Sequence, residues 1–328
     1  MNFQAFLTSL LAAISLYVGL HHLFYYLRLR SEKYFLSFSL VCFTFVYYDA
    51  VSVGLYLSTT PEIGVFWQTH QIMALAVGGV FLLMFVSHII NRQSRLWDYL
   101  FSAYWILQLI LLNVARKSLI WCDLPSIKNV SFAGINMVYY ERKPGILITI
   151  QTFVGIAAML YVLLSLARAY TNENKNQIVP LVIGMLIFSV GVVNDSAVSN
   201  GLYNFFYCIE ISYFVLILCM AFSLANLHLK NVKLIDESKT KYCQLLDTAN
   251  DAVFAIDKES MEIIETNQKA EELLGKPKTK IIGQKINTLF PPEKMGIYAS
   301  TFIQQLNKHQ AKGSVTVSYT HLTLPTIY

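Results

Sequence analysis

Stretches of about 20 mostly apolar residues, the length a helix needs to cross a bilayer, recur seven times near the start of this chain. They cover residues 3–27, 34–58, 65–90, 97–115, 146–167, 178–199 and 203–227. A helix that is apolar on every side must be surrounded by apolar material, so seven together predict a membrane-embedded all-α bundle. Composition agrees: 14% of the residues are charged, against about 25% in a typical soluble chain. The shortage is local. Residues 229–312 carry charges every few positions and read as a water-soluble module. The opening "MNFQAFLTSL" lacks a basic leader and its apolar run is too long for a cleaved signal. The first run is therefore a true span.

Lys and Arg gather in alternate short loops. Arg28, Arg30 and Lys33 lie in the first, Arg92 and Arg95 in the third, and Arg168 and Lys175 in the fifth, while the second and sixth carry none. The positive-inside rule then places the N-terminus outside and residue 228 onward in the cytoplasm. Residues 116–145, an external loop on this topology, run against the rule with Arg116, Lys117, Lys128, Arg142 and Lys143. The net charge of +5 is accounted for by cations at the inner surface, and no nucleic-acid partner is expected. Five cysteines (Cys42, Cys122, Cys208, Cys219, Cys243) form no C-x-x-C pair and no disulfide framework.

In the soluble part, "AVFAID" and "EIIETN" read as two short strands, followed by the helix "QKAEELLG". Asn267 suits the helix N-cap, and Gly275 suits the left-handed position after its end. This order, with "N-x-x-A-x-x-L-x-G", "IIGQ" and "LFPPE", resembles the start of a PAS domain from about Leu245 to Glu293. The resemblance implies a small antiparallel sheet flanked by helices, with "MGIYASTFIQQLNKHQ" as the next helix and "GSVTVS" as the next strand. Flavin-binding relatives use an Asn-Cys-Arg-Phe motif that is absent here. Haem-binding relatives place a histidine where His309 falls, but a lone histidine near a helix end is ordinary, and no cofactor is expected. The ending "YTHLTLPTIY" continues neither strand nor hairpin. It is read as a non-native tail on an N-terminal fragment whose C-terminal effector domain is missing.

Between the two parts no Gly or Pro occurs from Ala225 to Glu272. Val232, Ile235, Tyr242 and Leu246, with Lys239 between them, form a short heptad-like seam. It fits either a coiled coil, and hence a homodimer, or a plain amphipathic linker helix.

Ionisable residues inside a span are costly and face a cavity or a partner. On the topology above, Asp49, His70, Asn194, Asp195 and Glu210 reach one depth in the outer half of four spans. Gln68 and Gln71 flank His70, and Tyr48, Tyr56, Trp67, Tyr203 and Tyr207 lie nearby. Two readings stand. The residues form a ligand pocket open to the exterior, or they make interhelical hydrogen bonds worth about 0.6 kcal/mol each. Near the inner face, His21, His22 and His88 would permit a bis-imidazole haem or metal site, or would simply sit at the headgroup boundary.

The whole resembles the seven-helix sensor modules of bacterial signalling proteins, through "GLHHLFYYLRLRSEKYFLSFSL", "FWQTHQ" and "NDSAVSNGLY" to "EISYFVLILCMAFSLAN". Such modules precede PAS domains and then a histidine kinase or a diguanylate cyclase. The resemblance implies a receptor in the bacterial inner membrane that answers a small ligand or a membrane stimulus. The expected layout is a sensor bundle at 1–227, a helical linker at 228–244, a partial α+β PAS domain at 245–318 and the tail at 319–328. No kinase, cyclase or nucleotide-binding motif is present, so no catalytic residue is assigned. A retinal photoreceptor is excluded because residues 203–227 hold no lysine. A small-solute transporter is the rival reading, although no inverted repeat is visible and Pro180 is placed at a helix start.

Overall fold

The computed structural model describes residues 3–30, 32–90, 96–132, 135–257, 260–289 and 315–318. The chain divides into two units, Met1–His228 and Leu229–Tyr328. In the first unit the apolar runs become α1 (Phe3–Arg28), α2 (Lys33–Tyr56), α3 (Pro61–Ile89) and α4 (Leu96–Val114). The short α5 (Lys117–Ile120) follows, then α6 (Ile146–Ala169), α7 (Lys175–Ser199) and α8 (Ile209–Asp247), whose residues from Leu229 onward belong to the second unit. All of these except α4 and α5 are long and apolar enough to cross a membrane. The 19-residue α4 interrupts its apolar run with Asp98, Gln108 and Asn113.

Local chemistry sets the helix starts and keeps polar groups satisfied. The Thr60 side chain accepts from the Ile63 amide, and Pro61 occupies the first turn of α3. Hydroxyls within the spans fold back on their own helices. Ser39, Thr44, Thr69, Thr152 and Ser212 each donate to the carbonyl four residues earlier, which satisfies these five donors without a neighbouring helix. Phe6, Leu10, Tyr17 and Phe24 of α1, with Phe153 and Leu160 of α6, lie exposed on the outside of the bundle. Inside, Phe38, Phe85, Leu181, Leu216 and Met220 form the core, and Phe45 stacks on Tyr213 with ring centroids 4.1 Å apart.

Pro180 does not start a helix; it lies inside α7. A proline lacks the amide that would bond four residues back, which frees the Asn176 carbonyl. Asn226 Nδ2 of α8 donates to that carbonyl at 2.8 Å, and Ser223 Oγ donates to the adjacent Gln177 carbonyl at 2.7 Å. The break in one helix thus becomes a bond to its neighbour.

Residues 116–145, expected as a loop, contain an antiparallel hairpin, β1 (Trp121–Phe132) and β2 (Ile135–Pro144). Its burial alternates with period two. Lys128, Val130, Tyr139 and Glu141 are buried, while Ile127 and Val138 are exposed. The pattern is hard to see in sequence because the buried set includes a lysine and a glutamate. The hairpin docks on α3 at Gly64, where a Cβ would lie 1.6 Å from the Tyr140 carbonyl oxygen. Any larger residue there would push the hairpin away.

The last span also starts later than the apolar run. Residues 203–208 are not helical, and Asn194 holds them: Tyr203 donates to its Oδ1 at 2.6 Å, and its Nδ2 donates to the Phe206 carbonyl at 3.2 Å.

In the second unit, β3 (Val253–Ile256) pairs antiparallel with both β4 (Ile263–Thr266) and β5 (Val315–Ser318), giving the order β4-β3-β5. The helices are α9 (Gln268–Leu274) and α10 (Lys278–Ile281), followed by a 3₁₀ turn at Ile286–Leu289. Asn267 caps α9 as expected, and Gly275 ends it at φ 62°. Arg92 and Arg95, the expected helix "MGIYASTFIQQLNKHQ", His309 and residues 319–328 fall outside the described residues.

Candidate functional site

α2 and α8 exchange two tyrosine–carboxylate hydrogen bonds. Tyr56 of α2 donates to Glu210 of α8, and Tyr213 of α8 donates to Asp49 of α2. The helices run antiparallel, so residues seven apart on one meet residues three apart on the other. Each helix contributes one acid and one phenol. Asp49 is 0% exposed, so a carboxylate at this depth depends on that phenol. Asp49 and Glu210 are therefore bound to tyrosines and do not line open space.

Asp195 has a different task. The amides of Cys208 and Ile209 donate to its two oxygens at 2.9 and 3.1 Å, and Asn194 Nδ2 donates at 2.8 Å. A side chain of α7 thus caps the N-terminus of α8, where a helix dipole favours negative charge. The cap also explains why α8 begins at Ile209.

A cavity of about 190 Å³ lies within the bundle, between the hairpin and the helices α2, α3, α4, α6, α7 and the start of α8. Along α7 its lining runs from Met185 to Ser199, about 21 Å at the helical rise of 1.5 Å per residue. Gln68, Gln71, Glu141, Gln151, Asp195 and Tyr207 line it toward the hairpin; Phe45, Leu83, Val162, Met185 and Phe188 line it deeper. Tyr48 and Tyr56 connect the two zones on α2.

The hairpin supplies the most heavily bonded part of the wall. Lys128 Nζ lies 2.5 Å from Glu141 Oε1 and donates to the carbonyls of Val198 and Ser199 at 2.7 and 3.3 Å. Glu141 Oε2 accepts from Gln68 Nε2 at 2.9 Å and from the Tyr207 hydroxyl at 2.7 Å. Burial holds the Glu141 carboxyl above its usual value of 4.5, and Lys128 and Tyr207 offset only part of that shift. Lys128 is thus a structural cation inside the protein, although it counts against the charge rule in sequence.

His70 does not join this group. Gln68 and Gln71, three residues apart, share the inward face of α3, whereas His70 falls on another side. Its Nδ1 donates to the Phe66 carbonyl at 2.8 Å, and its ring packs on Phe66. Near the other end of the bundle, His22 donates to the Val18 carbonyl at 2.9 Å and meets Phe38 edge-on at 4.6 Å. His21 packs on Tyr25, and His88 Nδ1 lies 3.1 Å from Ser37 Oγ. Among the described residues no group of three His, Cys, Asp or Glu is placed to hold a metal ion. Nothing in the sequence pattern singles out Gln151, Glu141 or Trp105, and Lys128 stands out there only as a loop cation. For the two hairpin residues, the period-two burial of the strands was the available signal.

Residues 4–226, well over half of the chain, match the family described as 7TM diverse intracellular signalling. The chain belongs to that family. Residues 240–321 match the PAS fold. No curated protein matches the chain. In this member of the 7TM diverse intracellular signalling family, α1–α4 and α6–α8 are the seven helices of a multi-pass membrane sensor domain, and a PAS domain follows. The hairpin between α4 and α6 covers the cavity of that domain.

Proposed function

We propose that the chain is the sensory part of a bacterial receptor whose output is a histidine kinase or a cyclic-di-GMP enzyme. The bundle at 1–227 detects a ligand, the helix at 228–244 relays the signal, and the PAS domain at 245–318 receives it. The N-terminus lies outside the inner membrane and the PAS domain lies in the cytoplasm, and the receptor works as a homodimer. One observation carries this reading. α8 begins at the cavity wall with Ile209 and continues to Asp247 with no Gly or Pro.

Tyr56 lines the cavity, and its hydroxyl is bonded to Glu210 on α8. A ligand that moves Tyr56 removes one of the two rungs holding α8 to α2 and shifts the balance between two positions of α8. The shift can be no larger than the ligand's difference in affinity for those positions, and such couplings are typically about 1–3 kcal/mol.

The test joins this chain in frame to a histidine kinase core and reconstitutes the fusion in vesicles. Tyr56→Phe and Glu210→Gln should each change autophosphorylation about fivefold or more, the lower range of ordinary coupling. Unchanged output from both, with normal insertion, refutes the receptor. The cavity also suits a small-solute transporter; solute flux through vesicles of the unfused chain would favour that role.

A further inference from the structure

We propose that the cavity takes a small hydrophobic amine, with its ammonium group toward the hairpin and its apolar body between α3, α6 and α7. This deepens the receptor reading and rests on it only in treating the cavity as the ligand site.

Three observations point to this ligand class. First, among the described residues the cavity wall contains no Lys, Arg or His, but it includes the carboxylates Glu141 and Asp195. Lys128, the cation paired with that wall through Glu141, is already held by Glu141 and two carbonyls. A carboxylate ligand would meet these acids with no cation among the described lining residues to balance it, and burying such a charge unpaired is costly.

Second, one acceptor in the wall is unused. Gln151 is 7% exposed and lines the cavity; its Nε2 donates to the Ile72 carbonyl at 3.2 Å, but its Oε1 has no partner. An orphaned buried acceptor costs about 1–3 kcal/mol, which a ligand N–H would recover. The site therefore calls for a donor.

Third, the deeper wall is apolar and aromatic, formed by Phe45, Trp105, Met185 and Phe188. It suits an aryl or alkyl body. Gly155 marks the free space. It lines the cavity, and a Cβ built there meets nothing within 4 Å.

The full chain in lipid nanodiscs is titrated with phenethylamine and hexylamine, and with phenethyl alcohol and phenylpropionate as neutral and anionic counterparts. Binding is read by quenching of tryptophan fluorescence, since Trp105 and Trp121 both line the cavity. The amines should bind saturably and about tenfold or more tighter than the alcohol, and the carboxylate should not bind. Gly155→Leu fills the space and should abolish amine binding. Gln151→Leu should weaken it about tenfold, the loss of one hydrogen bond to a charged group. Both variants are first checked for unchanged helix content.

Equal binding of alcohol or carboxylate overturns the ligand class. Unchanged amine binding by Gly155→Leu overturns the site. Absence of binding by both amines overturns the proposal as a whole. None of these outcomes touches the kinase fusion, which tests the receptor independently through Tyr56 and Glu210.

Discussion

The membrane bundle and the PAS unit satisfy their buried polar groups in opposite ways. In the bundle, side chains bond side chains across long stretches of sequence: Asp49 with Tyr213 at a separation of 164 residues, Tyr56 with Glu210 at 154, and Gln68 with Glu141 at 73. In the PAS unit one side chain serves four backbone groups close by. Asn267 Oδ1 accepts from the amides of Val253 and Ala270 at 2.9 and 3.1 Å; its Nδ2 donates to the carbonyls of Leu246 and Asp251, both at 2.9 Å.

The cause is element length. Long helices satisfy nearly all of their own backbone, so buried carboxylates and amides, unlike the hydroxyls that fold back on their own helix, look to another element for a partner. β3 has four residues and α9 has seven. Short elements leave most of their terminal amides and carbonyls without partners, and a well-placed asparagine can serve several of them.

The sharpest way to break this contrast is Asn267→Ala. It strips partners from four backbone groups around a fully buried residue and should cost the PAS unit about 3 kcal/mol, since each orphaned group is itself expensive. Native-state hydrogen exchange should show lost protection at Val253 and Ala270, and Asn267→Asp, which keeps only the acceptors, should lose less. Full protection in the alanine variant would mean that other groups had taken over.

A smaller effect is expected in the bundle. Tyr213→Phe removes one interhelical bond and should cost about 1 kcal/mol, within the range measured for such bonds in membrane proteins. Adding Asp49→Leu should cost less than the two single changes summed, because the acid no longer needs a partner. Strict additivity in reversible unfolding would show that the pair is not coupled.

The smallest effect is a dependence on pH. Glu141 is held above its usual 4.5 in the folded hairpin, so over that window the folded protein binds more protons than the unfolded one. Its contribution to stability should therefore be fully present below 4.5 and be lost as pH rises through the raised value. Thermal unfolding in nanodiscs checks the sign, and Glu141→Gln should flatten the slope.

Much of the fold was legible because its causes are local. Seven apolar runs foretold seven helices, and Asn267 and Gly275 marked the two ends of α9. The uninterrupted stretch after Ala225 foretold a helix that continues to Asp247. The candidate site was less legible. Asp49, Asn194, Asp195 and Glu210 were recognised as residues needing partners, but not which partners. Depth alone groups His70 with Asp49, Asn194, Asp195 and Glu210, but helical phase turns the flanking Gln68 and Gln71, and not His70, to the cavity. The hairpin went unseen because Lys128 and Glu141 neutralise each other, and a pair buried together has the composition of an exposed loop.

By itself the sequence determined that this chain crosses a membrane as a helical bundle and then becomes a PAS domain, because chain length in apolar runs and turn chemistry act over a few residues. Only the tertiary structure decided that Tyr56 and Tyr213 claim two of the acids, that Asp195 caps a neighbouring helix, and that Gln151 faces a cavity with an acceptor to spare. Those outcomes depend on which helix faces come together, and a hydrogen bond spanning more than 150 residues of sequence leaves no local trace.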